Sequence, residues 1–73
     1  MDPIANLTRR EVEVLRLIAS GSTYGKAAFQ LGISAHTVAT HIKSIYRKLE
    51  VHTAGAAVMR AVSLRLLGLD RST

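Results

Sequence analysis

The chain contains no cysteine and no tryptophan, one proline, and three aromatic residues, Tyr24, Phe29 and Tyr46. Without cysteine there are no disulfides, thiolate metal ligands or sulfur nucleophiles, and a reducing, cytoplasmic setting is expected. With so few aromatics, Leu, Ile, Val and Ala must fill the core. Acidic residues are also scarce. Asp2, Glu11, Glu13, Glu50 and Asp70 face ten Lys and Arg, for a net charge of +5 and a pI near 10.5. That balance favours a polyanionic partner, either nucleic acid or an anionic membrane.

No apolar run approaches the ~20 residues of a membrane span. The N-terminus, MDPIANLTRR, has no basic segment followed by an apolar one, so no secretion signal is expected and the first six residues read as a short leader. His36 and His41 are five apart, off the geometry of a helical metal pair, and His52 falls on a loop, so no zinc site is expected. No nucleophile–base–orienter set and no phosphate loop are evident. An enzyme, a cofactor and a small-molecule ligand are therefore not expected.

What is present is a helical pattern in 73 residues, room for one small domain. Hydrophobic residues make up 48% against 21% charged, the balance of a folded chain and not of a disordered tail. Thr8-Arg9-Arg10-Glu11 has the form of a capping box opening a first helix, with Leu7 as its hydrophobic staple. Glu11, Val14, Leu15 and Ile18 share one face, and Ser20-Gly21 ends the helix. A short second helix runs from 24 or 25 to 31, capped by Thr23 and ended by Gly32, with Ala27, Ala28 and Leu31 inward and Ile33 plugging the core. Ser34 then caps a third helix at once.

In that third helix Val38, Ile42, Ile45 and Leu49 recur at i, i+4, i+7 and i+11 and form one apolar stripe. His36, Thr40, Lys43 and Arg47 lie roughly opposite, and none is acidic. Two helices joined by so tight a glycine-containing turn, with a basic outer face on the second, form a helix-turn-helix able to place that second helix in a nucleic-acid groove. The alternative is an ordinary helical hairpin with a solvated basic face. Ser34, Thr37 and the first-turn N–H groups make an anion site reinforced by the helix dipole. Lys43 suits guanine O6/N7, and Thr40 suits a thymine methyl or a hydrogen bond.

A fourth helix is expected over 54–67, capped by Thr53 and ended by Gly68. Ala57, Ala61 and Leu64, flanked by Val58, would pack on the domain. Gly55, Met59, Val62 and Leu66 make a second apolar stripe well round the helix, which suits the same helix of a twin subunit. The competing reading has Met59 and Leu66 folding over the core or lying exposed. The expected fold is therefore all-α: four helices containing a helix-turn-helix, the fourth serving dimerisation.

The segments LTRREVEVLRLIASG and AAFQLGISAHTVATHIKSIYRKLEV resemble the LuxR-type helix-turn-helix of bacterial response regulators and quorum-sensing regulators. The features that carry the resemblance are the capped first helix, Leu31-Gly32-Ile33-Ser34, Thr37-Val38, His41 and Lys48-Leu49. It covers residues 7–69, leaving 70–73 as a tail. It implies a sequence-specific transcription regulator that binds double-stranded DNA at an inverted repeat, as a homodimer through the fourth helix, with RNA polymerase a candidate further partner.

Carried over by position, the resemblance assigns Ala39, Thr40 and Lys43 to base edges, and Thr37, Arg47 and Lys48 to phosphates. Thr23, Tyr24 and Lys26, at the start of the second helix, are assigned to the DNA backbone together with Ser34. Tyr24 either bonds a phosphate or packs on the third helix. Arg47 and Lys48 would add affinity without reading sequence.

The departures from the family pattern are specific. Ala39 stands where relatives often have lysine. Gly25, Lys26 and Ala27 replace a basic, an acidic and a large aliphatic residue. Ala27 shrinks the core, and Phe29 is expected to refill that space, although the matching position in relatives is often basic and exposed. Glu50 replaces the usual glycine after the third helix, which is therefore expected to end through another geometry.

Two other functions compete. One is the promoter-reading region of a sigma factor, which has a similar helix-turn-helix; the two-faced fourth helix argues against it. The other is an adaptor or anti-regulator that binds a protein through the fourth helix and hardly touches DNA. No receiver or ligand-binding domain precedes the segment, so an excised effector domain or a free-standing regulator is expected.

Overall fold

Hydroxyl side chains start all four helices of the computed structural model, which describes residues 7–64. The helices are α1 (Arg9–Ala19), α2 (Tyr24–Leu31), α3 (Ala35–Leu49) and α4 (Ala54–Ser63), with no strand among the described residues. Thr8, Thr23, Ser34 and Thr53 each accept the N–H three residues on, at 3.0–3.1 Å from Glu11, Lys26, Thr37 and Ala56. Each cap satisfies an otherwise orphaned donor and is worth about 1 kcal/mol. The capping box at α1 is complete, because the Glu11 carboxylate also accepts the Thr8 N–H at 2.9 Å.

The first three helices close in one way. Gly21, Gly32 and Glu50 have φ of +98°, +69° and +58°, and the next residue in each case donates back across the turn. Those bonds are Ser22 N to Leu17 O at 2.9 Å, Ile33 N to Ala28 O at 3.0 Å and Val51 N to Tyr46 O at 3.0 Å. This six-residue closure satisfies the last helical carbonyls. It corrects the expectation for Glu50, which takes the left-handed conformation that glycine would have supplied. The cause is Val51, whose half-buried side chain packs on the core and anchors the turn. A Cβ in that conformation costs roughly 1–2 kcal/mol.

Helix α3 is the centre of the fold and packs on each of the other three helices. Its Val38, Ile42, Ile45 and Leu49 are buried with Val14 and Leu15 of α1, Ala27 and Ala28 of α2, and Ala57 and Ala61 of α4. Four of these ten residues are alanines, so α2 and α4 lie close to the centre without large side chains between. Leu7, Ile18, Leu31, Ile33, Val51, Val58, Val62 and Leu64 are half-buried against this core.

Phe29 does not refill the space beside Ala27. Ala27 is fully buried while Phe29 is 88% exposed. Two residues along a helix are about 200° around it, so a residue placed thus after an inward alanine faces solvent. The expected extension of α4 to residue 67, with Leu66, and the leader and tail segments lie outside the described residues.

Candidate nucleic-acid interface

Burial divides α3 into two sides. The Val38–Ile42–Ile45–Leu49 stripe is closed off from solvent, and His36, Thr40, Lys43 and Arg47 are exposed on the opposite side. Ala39 and Thr37 are half-buried on its two flanks. No acidic residue occurs between Glu13 and Glu50, so neither α2 nor α3 carries a negative side chain. The outer side of α3 thus offers an ammonium, a guanidinium, an imidazole and a hydroxyl on a rigid element whose other side is locked into the core.

At the start of α3 the Ser34 and Thr37 hydroxyls are 2.9 Å apart, and Ser34 Oγ also accepts the Thr37 N–H. One of the two hydroxyl protons serves this contact, and the other remains for an anion near the helix N-terminus. Thr40 donates its hydroxyl to the His36 carbonyl at 3.1 Å. With its proton so used, the exposed Thr40 has acceptor lone pairs and a methyl group left to offer.

The Tyr24 phenol, in the first turn of α2, lies close to that of Tyr46, near the end of α3. Tyr46 is half-buried; burial first, then its contact with Tyr24, holds its phenol above the usual range. Of the two roles open to Tyr24, packing on α3 is present, and at 40% exposure the ring still has a free side. Thr23 Oγ1 serves as the α2 cap. Lys26 borders a surface recess with Ser22, Gly25, Phe29 and Gln30.

Lys48, expected near a phosphate, also has a partner within the domain. Its Nζ donates to Glu11 Oε1 at 2.9 Å, bridging α3 to the start of α1. Burial alone would raise the Glu11 carboxyl, but hydrogen bonds from Ser44, Lys48 and the Thr8 N–H outweigh it and hold the group below its ordinary value. Lys48 is thereby a tie between helices, and Arg47 is the exposed cation of the pair.

On α4, Gly55, Ala56, Met59, Arg60 and Ser63 are exposed, and Met59 is 69% exposed. A Cβ on Gly55 would meet nothing within 4 Å, so the isolated domain does not require glycine there. Val62 is half-buried and packs with the core, unlike Gly55 and Met59. Among the described residues no three His, Asp or Glu side chains gather into a metal site, and no helix is long and apolar enough to cross a membrane.

Sequence reasoning missed Ser44 and Tyr46 as the α3 neighbours of Glu11 and Tyr24. Both flank its apolar stripe, and a polar residue beside a buried stripe is the available signal. The partners, Glu11 and Tyr24, are not legible from helical spacing.

Residues 5–61 match the family model for bacterial regulatory proteins of the luxR family. The chain is 47% identical over 58 residues to a nitrate/nitrite response regulator protein homolog of Haemophilus influenzae, covering 80% of this chain and 28% of that protein. It is 43% identical over 63 residues to a probable transcriptional regulatory protein, SgaR, of Hyphomicrobium methylovorum, covering 86% and 30%. It is 45% identical over 62 residues to a transcriptional activator protein, CarR, of Pectobacterium carotovorum, covering 85% and 25%. The chain thus spans less than a third of the length of these curated relatives. Four helices built around a helix-turn-helix, an α3 basic on one side, and a family match over most of the sequence agree: the chain belongs to the luxR family of bacterial regulatory proteins, as the DNA-binding domain of a transcription regulator.

Proposed function

We propose that α3 lies in the major groove of double-stranded DNA, and that two copies pair through α4 to read an inverted repeat. Lys43 and Thr40 meet base edges, with Ala39 allowing close approach beside them. Arg47, the free hydroxyl proton of the Ser34–Thr37 pair, and Tyr24 hold phosphates and set the register. Gly55 and Met59 form the centre of the α4 pairing surface, with Val62 at its edge.

The single observation that carries this reading is the division of α3. Its apolar stripe is buried on all the other helices, and the cationic side without any acid is left open. The named relatives are a response regulator, a transcriptional regulatory protein and a transcriptional activator, which supports regulation of transcription as the purpose of binding.

Selection of bound sequences from a randomised duplex library at near-physiological salt tests the proposal. An inverted repeat with half-sites about one helical turn apart supports paired recognition. A single unrepeated element rejects the dimer. Absence of enrichment, with binding that vanishes as salt rises, rejects base reading and leaves polyanion attraction alone.

A further inference from the structure

Helix α2 carries a feature that DNA recognition by α3 does not use. Its outward side has a recess of about 380 Å³ lined by Ser22, Gly25, Lys26, Phe29 and Gln30. Phe29, 88% exposed, is the most exposed large hydrophobic residue among those described. It lies one helical turn beyond Gly25, whose missing side chain leaves backbone as part of the lining. Neither residue is demanded by the domain. Phe29 touches water instead of the core, and a Cβ on Gly25 would meet only Thr23 Oγ1, at an ordinary 3.9 Å. An exposed aromatic beside a helical glycine that costs ~1 kcal/mol relative to alanine is a poor surface for an unpartnered helix.

We infer that this recess is a docking site for a protein segment that presents an aliphatic side chain flanked by carboxylates. The shape specifies the aliphatic part: a wall made by one phenyl ring, beside bare backbone, accepts a branched or linear apolar side chain. Charge specifies the rest. Lys26 on the rim is the only charged residue of α2, and the stretch from Glu13 to Glu50 holds no acid that would answer it. The Ser22 hydroxyl and the Gln30 amide add hydrogen-bonding capacity at the edge. The site lies on the side of α2 turned away from Ala27 and Ala28, which face the core. It is a different surface from the outer side of α3 and from the exposed side of α4. This goes beyond the DNA-binding reading and gives the domain a second, protein-directed surface.

The test uses the full chain, immobilised and panned against a displayed library of randomised peptides. Peptides with an aliphatic residue next to Asp or Glu are expected to be enriched. A synthetic enriched peptide should bind wild type, lose about tenfold or more in affinity to Phe29→Ala, and weaken as salt rises. Phe29→Ala should keep the wild-type circular dichroism melt and duplex affinity, because the ring is exposed and has no part in the core or in the proposed base-reading set; loss of duplex binding in wild type itself would instead count against the DNA reading. Failure of any peptide to enrich overturns the proposal, as do enriched peptides lacking acids. Binding indifferent to Phe29→Ala, or displaced by duplex DNA, overturns it too. A wild-type dimer in sedimentation that Phe29→Ala converts to monomer would give the surface to a second copy and overturn the acidic-partner assignment.

Discussion

Lys48 Nζ and Glu11 Oε1 lie 2.9 Å apart although 37 positions separate them in the chain. The contact ties the last turn of α3 to the first turn of α1, where Glu11 also completes the capping box with Thr8. One buried carboxylate therefore holds both the start of the domain and the far end of its central helix. Lys48→Ala takes from that carboxylate one of its two close donors and leaves the Thr8 N–H. The expected loss is about 1–3 kcal/mol, the cost of a buried polar group deprived of a partner. Urea unfolding measures it, and Glu11→Gln in the same background should recover part, since a neutral amide needs no cation.

The same carboxylate sets a pH dependence. Its folded value is depressed below the ordinary 4.5, so the unfolded chain takes up the proton more readily. The stabilisation is complete above the unfolded value and is lost as the pH falls through the lower folded one. Thermal unfolding followed from about pH 7 down to about pH 3 should show a steeper acid decline for wild type than for Glu11→Gln. Parallel declines would contradict the assignment.

Glu50 is the non-glycine residue at positive φ among those described, and its charge sits at the negative end of the α3 dipole. Glu50→Gly removes both penalties while giving the unfolded chain more freedom. The net expectation is a gain of about 1 kcal/mol. Gly32→Ala, at φ +69°, should move stability the opposite way by a similar amount, although nothing would crowd its Cβ. Chemical denaturation of the two variants checks both signs.

Local chemistry explains what was legible in the sequence. Thr8, Thr23, Ser34 and Thr53 act on donors three residues away, so each helix start is written in a few adjacent letters. The α3 stripe was legible for the same reason, since helical spacing alone puts Val38 to Leu49 on one side. Contacts between helices were not. The pairing of Lys48 with Glu11, 37 positions away, has no trace in helical spacing. Phe29 looked like filler for Ala27, but its angle around α2 sends it outward. The end of α3 was misjudged because the half-buried Val51, rather than the identity of residue 50, decides the closure.

In the proposed dimer, Met59 is the residue that separates pairing from folding. At 69% exposure it contributes little to the domain itself. Met59→Glu should leave the thermal midpoint near wild type while abolishing cooperative binding to a duplex with two half-sites, because two carboxylates would face each other across the pairing axis. Cooperative binding retained in the variant would remove α4 as the interface.

Base reading by the outer side of α3 stands or falls at Lys43. Affinities of wild type and Lys43→Ala are measured across a library of duplexes carrying every base at each position of the selected site. Discrimination is expected to shrink by ~1–3 kcal/mol at one position of each half-site and to be preserved elsewhere. A uniform loss across all sequences, or an unchanged profile, would contradict it and leave Lys43 as a cation that reads nothing.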